Sequence, residues 1–346
     1  MKKILILLMV ISVCVIPANA AENDIPDVPE SGELYMPDET ESFGEALWFV
    51  IQSAVRDFWP EIYASAGSCL AIFCTMMLVS FVGNFPGASG KVLSLVSTLL
   101  IGMILLDPSN FLIQLGVNTV TEMTEYGKLL LPVLTGALAA QGGVTSSAAL
   151  HTLTMFFSSL LSTMIIKLVV PMIYIYLCLS IVGSFSADDL IQNMKKFMKW
   201  LITWSLKIIL YVFTGFMGIT GVVSGTADAS TVKAVKLSIT GMVPVVGGII
   251  SDASESIIVG ASVLKNSAGI YGIVAIIAVF IGPFLKIGVQ YIMLKITASV
   301  CSVFSNKQQT ELLKDFSGGM GMVLAMTGTV CLLLLISIVC FMKGLS

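Results

Sequence analysis

Residues Thr240 to Gly260 read TGMVPVVGGIISDASESIIVG, an apolar stretch of spanning length interrupted by Pro244, by the Gly247/Gly248 pair and by two carboxylates. Pro244 removes a backbone donor and crowds the preceding turn, and the two glycines loosen the turn after it. Asp252 and Glu255 stand three residues apart, on one helical face. In hydrocarbon every N–H and C=O needs a partner, so a broken ladder survives only where protein or a water-filled cavity covers it. The segment therefore excludes an ordinary lipid-facing helix at this point in the chain.

The constraint bites because the rest of the chain reads as membrane. Of 346 residues, 56% are hydrophobic and 11% charged, against roughly 25% charged in ordinary soluble domains. Several separate stretches approach the ~20 apolar residues that a spanning helix needs. The expected fold is all-α, a polytopic transmembrane helical bundle of about seven spans with amphipathic elements. A re-entrant helix and a complete crossing stay open where the backbone is broken.

The first twenty residues, MKKILILLMVISVCVIPANA, place Lys2 and Lys3 before an apolar run from Ile4 to Ile16 and small residues at Ala18 and Ala20. This predicts a cleavable signal at 1–20, because the run is too short to span comfortably, and sets the mature N-terminus outside the cytoplasm. Residues 21–41 carry Pro26, Pro29 and Pro37 among acids and almost no large apolar residues, which predicts a disordered acidic leader. Over 42–61 the residues Phe43, Leu47, Val50, Ile51, Val55 and Phe58 recur at helical spacing, predicting an extracytoplasmic amphipathic helix. The polytopic membrane domain is expected over 62–346.

The net charge of −3 hides an asymmetry. Residues 21–61 hold eleven acids and one base, Arg56, whereas the chain from Ile62 onward holds ten acids and fifteen lysines. No basic patch points to nucleic acid. Beyond the signal, Cys69, Cys74, Cys178, Cys301, Cys331 and Cys340 lie within or beside apolar stretches with no CxxC pair, and read as small packing residues.

Within the membrane domain a first span is expected at 62–82. A tight NFPGASGK turn and a short span at 92–106 come next, the latter ended by Asp107 and Pro108. Residues 109–128, with Glu122, Glu125 and Lys128, suit an interfacial helix, and the small-residue-rich 129–150 suits a broken or re-entrant span. Residues 152–185 exceed one span and carry Lys167 four residues before Pro171, predicting a hairpin or a kinked pair. Over 186–200 Leu190, Ile191, Met194, Phe197 and Met198 share one face, and Lys195, Lys196 and Lys199 the other, which predicts a cytoplasmic surface helix. In the next span Gly215, Gly218 and Gly221 fall on one side and predict a close helix contact. A polar turn at 224–230 and a polar connection at 265–267 flank the broken segment. Residues 268–305 are long enough for two helices, and the charged linker SNKQQTELLKDF leads to a last span at 322–342.

Reacting groups are scarce. There is no HExxH, GxSxG, P-loop or dinucleotide fingerprint. His151 is the sole histidine and reads as packed or interfacial, and only Asp252 among the aspartates has an apolar context. An enzyme is not expected, and no catalytic, cofactor-binding or metal residue is assigned. A charge at mid-bilayer costs about 2.5–3.5 kcal/mol, so Lys167, Lys207, Asp252, Glu255, Lys286 and Lys295 each need an accommodation. The lysines snorkel from span ends, or one of them pairs with Asp252 or Glu255. Two readings also stand for the acids: an interfacial helix displaying them, or a re-entrant hairpin turning them to a cavity. The residues singled out for shape, pore lining or assembly are Pro244, Gly247, Gly248, Asp252, Glu255, Gly215, Gly218 and Gly221.

The stretch VKLSITGMVPVVGGIISDASESIIVGASVLK at 235–265, with KQQTELLKDFSGGMGMVLAM at 307–326, resembles the stage III sporulation protein AE family of endospore-forming bacteria. The resemblance implies a polytopic core component of the channel apparatus joining mother cell and forespore, in the mother-cell membrane around the engulfed forespore. It implies partners from the same operon, among them ring-forming proteins and a cytoplasmic ATPase, together with a forespore membrane protein. It implies no catalytic residue and no cargo, and self-association stays open. The competing reading is a self-contained secondary transporter, with the broken segments near 129–150 and 241–260 as its binding elements. Against it, the halves show no internal repeat and the acidic leader has no place in such a fold.

Overall fold

A computed structural model describes residues 25–37, 43–82, 90–141, 144–185, 189–242, 247–303 and 305–343, with the helical path alone at 90–91, 144–146, 218–242, 247–266 and 343. The expected signal at 1–20 and Pro244 lie outside the described residues. Every regular element described is a helix: α1 Glu30–Glu33, α2 Phe43–Val82, α3 Gly90–Ala140, α4 Val144–Met164, a π turn Ile165–Val169, α5 Val170–Gly183, α6 Asp189–Met242, α7 Gly247–Cys301 and α8 Lys307–Lys343. Six helices among the described residues are long and apolar enough to cross a membrane.

The helices are longer than the sequence predicts, because Pro108, which reads as a stop, lies inside one of them, as other prolines lie inside others. Pro60 is within α2, Pro108 and Pro132 within α3, and Pro283 within α7. A proline removes one backbone bond, and packing on both sides of the break holds the helix together. Around Pro108, Leu105, Leu112 and Ile113 are buried in the common core. The span expected to end at 106 and the interfacial helix expected at 109–128 are therefore one helix. The amphipathic helix of 42–61 likewise continues without interruption into the first span.

Pro171 acts differently. With no N–H it leaves the Lys167 carbonyl without its usual donor, and immediately before it the helix widens into the π turn, whose closing bond runs from the Val170 N–H to the Ile165 carbonyl. The long apolar run at 152–185 is thus a continuous path with a π turn, not a hairpin. Residues 224–230 and 265–267, which predict polar connections, are helical.

At the centre stands α8, packed by α3, α4, α5, α6 and α7. Its stretch 307–316, which reads as a charged linker, is helical and inserted: Leu312, Leu313 and Phe316 are fully buried. Small residues set the spacing. A methyl built at Gly116 of α3 would lie 2.7 Å from Val323 Cγ1 and 2.8 Å from Met326 Cε, and one at Gly319 of α8 would lie 2.8 Å from Leu177 Cδ2. Both are closer than side chains tolerate, so these helix pairs approach on glycine. Hydroxyls in the apolar helices bond to the carbonyl four residues back, as in Thr124 to Val120 and Ser180 to Tyr176. This satisfies them without water.

The leader departs most from composition. Residues 25–37 lie against the bundle, with Val28, Gly32 and Tyr35 buried. Gly32 sits against Val279 of α7, Ser31 donates to the Glu122 carboxylate of α3, and the Tyr35 hydroxyl donates to Asp57 Oδ2 of α2 at 2.8 Å. Burial raises the Tyr35 phenol pKa, and the hydrogen bond to Asp57 raises it further. A segment too polar to form its own core borrows one from α7, which corrects the disordered reading for these residues.

Candidate functional site

A buried charged junction joins three helices. Lys195 near the start of α6 reaches Asp315 of α8, with Nζ 2.5 Å from Oδ2, and the Tyr176 hydroxyl of α5 donates to Asp315 Oδ1 at 3.2 Å. The Lys195 side chain is 7% exposed and that of Asp315 22%. Gly318, one turn on from Asp315, leaves room for the Tyr176 hydroxyl, 3.2 Å from where a Cβ would stand.

The sequence predicts a surface helix for this part of α6, with Lys195, Lys196 and Lys199 together on its polar face. Leu190, Met194 and Phe197 are exposed, as are Lys196 and Lys199, and of the three lysines Lys195 alone is buried. The physical reason is local: a lysine turned into the bundle needs a carboxylate partner, and Asp315 supplies it to Lys195.

A second pair links Lys286 of α7 to Glu61 of α2, at 3.5 Å. Sequence reasoning treats Lys286 as a snorkelling residue or as a partner for Asp252 or Glu255, and the structure gives it Glu61. Lys295 lies 5.5 Å from the centre of the Tyr291 ring, while Lys167 and Lys207 are exposed. His151 sits 3.2 Å from Thr135 Oγ1, joining α3 to α4.

The residues singled out from sequence do not gather into one place that the structure describes. Gly247, Gly248, Asp252 and Glu255 lie in the opening turns of α7, and the helical boundaries at Met242 and Gly247 bracket Pro244. Gly218 and Gly221 lie on α6; for all six the helical path alone is described. Gly215 is exposed, with nothing within 4 Å of a methyl built on it, so it makes no close contact among the described residues. What sequence reasoning misses is Glu61, Tyr176, Lys195 and Asp315, which are far apart along the chain and carry no motif.

Long apolar helices gathered round a glycine-spaced core and an internal ion pair define a polytopic helical membrane protein. The family described as stage III sporulation protein AE matches residues 45–344, and the chain belongs to it. A curated relative, stage III sporulation protein AE of Bacillus subtilis (strain 168), is 23% identical over 231 residues, which are 67% of this chain and 58% of the relative. The match therefore spans less than two thirds of that relative's own length. No solved structure matches.

Proposed function

We propose that this protein is a membrane-embedded core component of a multiprotein channel apparatus between mother cell and forespore, required for sporulation. The observation that carries the reading is the family match over 45–344. Support comes also from the six spanning-length helices, a scaffold suited to assembly in a bilayer. Its place is the mother-cell membrane, with the signal at 1–20 removed and the mature N-terminus extracytoplasmic. Its partners are the ring-forming proteins and ATPase of the same operon and a forespore membrane protein. It acts through assembly, with conduction left open, and not through catalysis.

Deleting the gene tests this directly. The deletion strain is expected to arrest after engulfment and to recover with a wild-type copy, and normal spore yield from the deletion contradicts the reading. For the broken segment, Gly247→Leu with Gly248→Leu is expected to disrupt assembly more than Asp252→Asn, since bulk blocks a close backbone approach. Wild-type sporulation in both mutants rejects a close-packed turn there.

A further inference from the structure

Beside the Lys286–Glu61 pair lies a cavity of about 170 Å³ between α2, α3 and α7. Its polar lining follows helical spacing. Glu61, Ser65 and Ser68 of α2 recur at intervals of four and three, and Lys286 and Gln290 of α7 at an interval of four. Each helix therefore turns one polar stripe to the same space, and Pro108 and Phe111 of α3 close it on the apolar side. Gln290 is buried and lines the same space, while the Lys286 and Glu61 side chains keep 41% and 25% of their surface.

A single 3.5 Å contact leaves most of the hydrogen-bonding capacity of an ammonium and a carboxylate unused. A ligand that carries an anion and a cation a few bonds apart satisfies both at once. The size is right for a headgroup, well below the roughly 300–1,000 Å³ of sites enclosing drug-sized ligands. The site also opens beside α2, whose most apolar stretch is only 17% buried in the bundle and displays Leu70, Met77 and Phe81 outward. Acyl chains have a surface to follow there.

We infer that this cavity binds the headgroup of a zwitterionic phospholipid with a primary ammonium, as in phosphatidylethanolamine. The phosphate meets Lys286 with the Ser65 and Ser68 hydroxyls, and the ammonium meets Glu61 with the Gln290 carbonyl. A trimethylammonium has no N–H to give to Glu61, and a glycerol headgroup has no cation, so choline and glycerol lipids bind less well.

The test uses the full chain in nanodiscs made from equal parts of phosphatidylethanolamine, phosphatidylcholine and phosphatidylglycerol, with retained lipid identified by native mass spectrometry. The ethanolamine lipid is expected to be favoured about tenfold, the factor that about 1.4 kcal/mol gives. E61Q is expected to abolish the preference while phospholipid is still retained, and K286M to lose retention of all three. Q290L leaves the ion pair intact and is expected to reduce the preference severalfold, because the ammonium loses a charge-assisted hydrogen bond. Equal retention of the three lipids by the wild type overturns the proposal, as does an unchanged preference in Q290L. Displacement of the lipid by soluble phosphoethanolamine at millimolar concentration assigns the cavity to a free zwitterion and overturns the lipid.

Discussion

Among the described residues two lysine–carboxylate pairs tie helices together, and they differ in length, in further partners and in how far the lysine is exposed. Lys195–Asp315 is short, shares its carboxylate with Tyr176 and buries its lysine, 7% exposed against 41% for Lys286. Lys286–Glu61 is longer, half open and set beside a cavity. A closed pair whose spare lone pairs are taken by another side chain is a fastening, since removing either partner strands a buried charge. An open pair with spare donors and acceptors holds little energy and is free to bind something else. Identical chemistry thus serves rigidity in one place and recognition in the other.

Breaking the closed pair tests that contrast most severely. D315N is expected to cost about 3–5 kcal/mol, seen as a lower melting temperature in detergent and reduced accumulation. The double variant K195M/D315L is expected to recover most of the loss, because no charge is then stranded. Next in size, Y176F removes the second bond to Asp315 and is expected to cost about 1.5 kcal/mol. Y35F, which frees the leader from Asp57, is expected to cost about 1 kcal/mol and to speed proteolysis within 25–37. Because the folded-state phenol pKa is raised, that contribution is fully present below the ordinary tyrosine value of about 10 and fades as pH rises through the folded value. Leader proteolysis measured against pH reads this out. The smallest effect belongs to K286M, expected within about 1 kcal/mol of wild type by the same melting assay. A loss from K286M as large as that from D315N would erase the distinction between the pairs.

The class of fold is legible in the chain, because spanning-length apolar stretches with few charges have no stable form in a bilayer other than packed helices. Segment boundaries are less legible, since Pro108 reads as a stop in isolation while Leu105, Leu112 and Ile113, buried on either side of it, keep its helix continuous. Orientation is least legible. The amphipathic pattern at 186–200 shows which residues share a face but not which face meets lipid, and so Lys195 reads as a surface charge. Asp315 hides in a stretch that looks like a linker, since nothing local marks a helix whose surroundings arrive from five other elements. Val28 and Tyr35 are too few to predict a core, yet enough to fill a groove that α7 supplies.

If the chain works as one part of a larger membrane assembly, tagged full-length protein purified from sporulating cells in mild detergent should bring its partners with it. The other products of the operon, the ring-forming proteins above all, are expected to copurify in fixed proportion. Recovery of the protein alone, together with solute uptake when it is reconstituted without partners in liposomes, would rule out that role and favour a self-contained transporter.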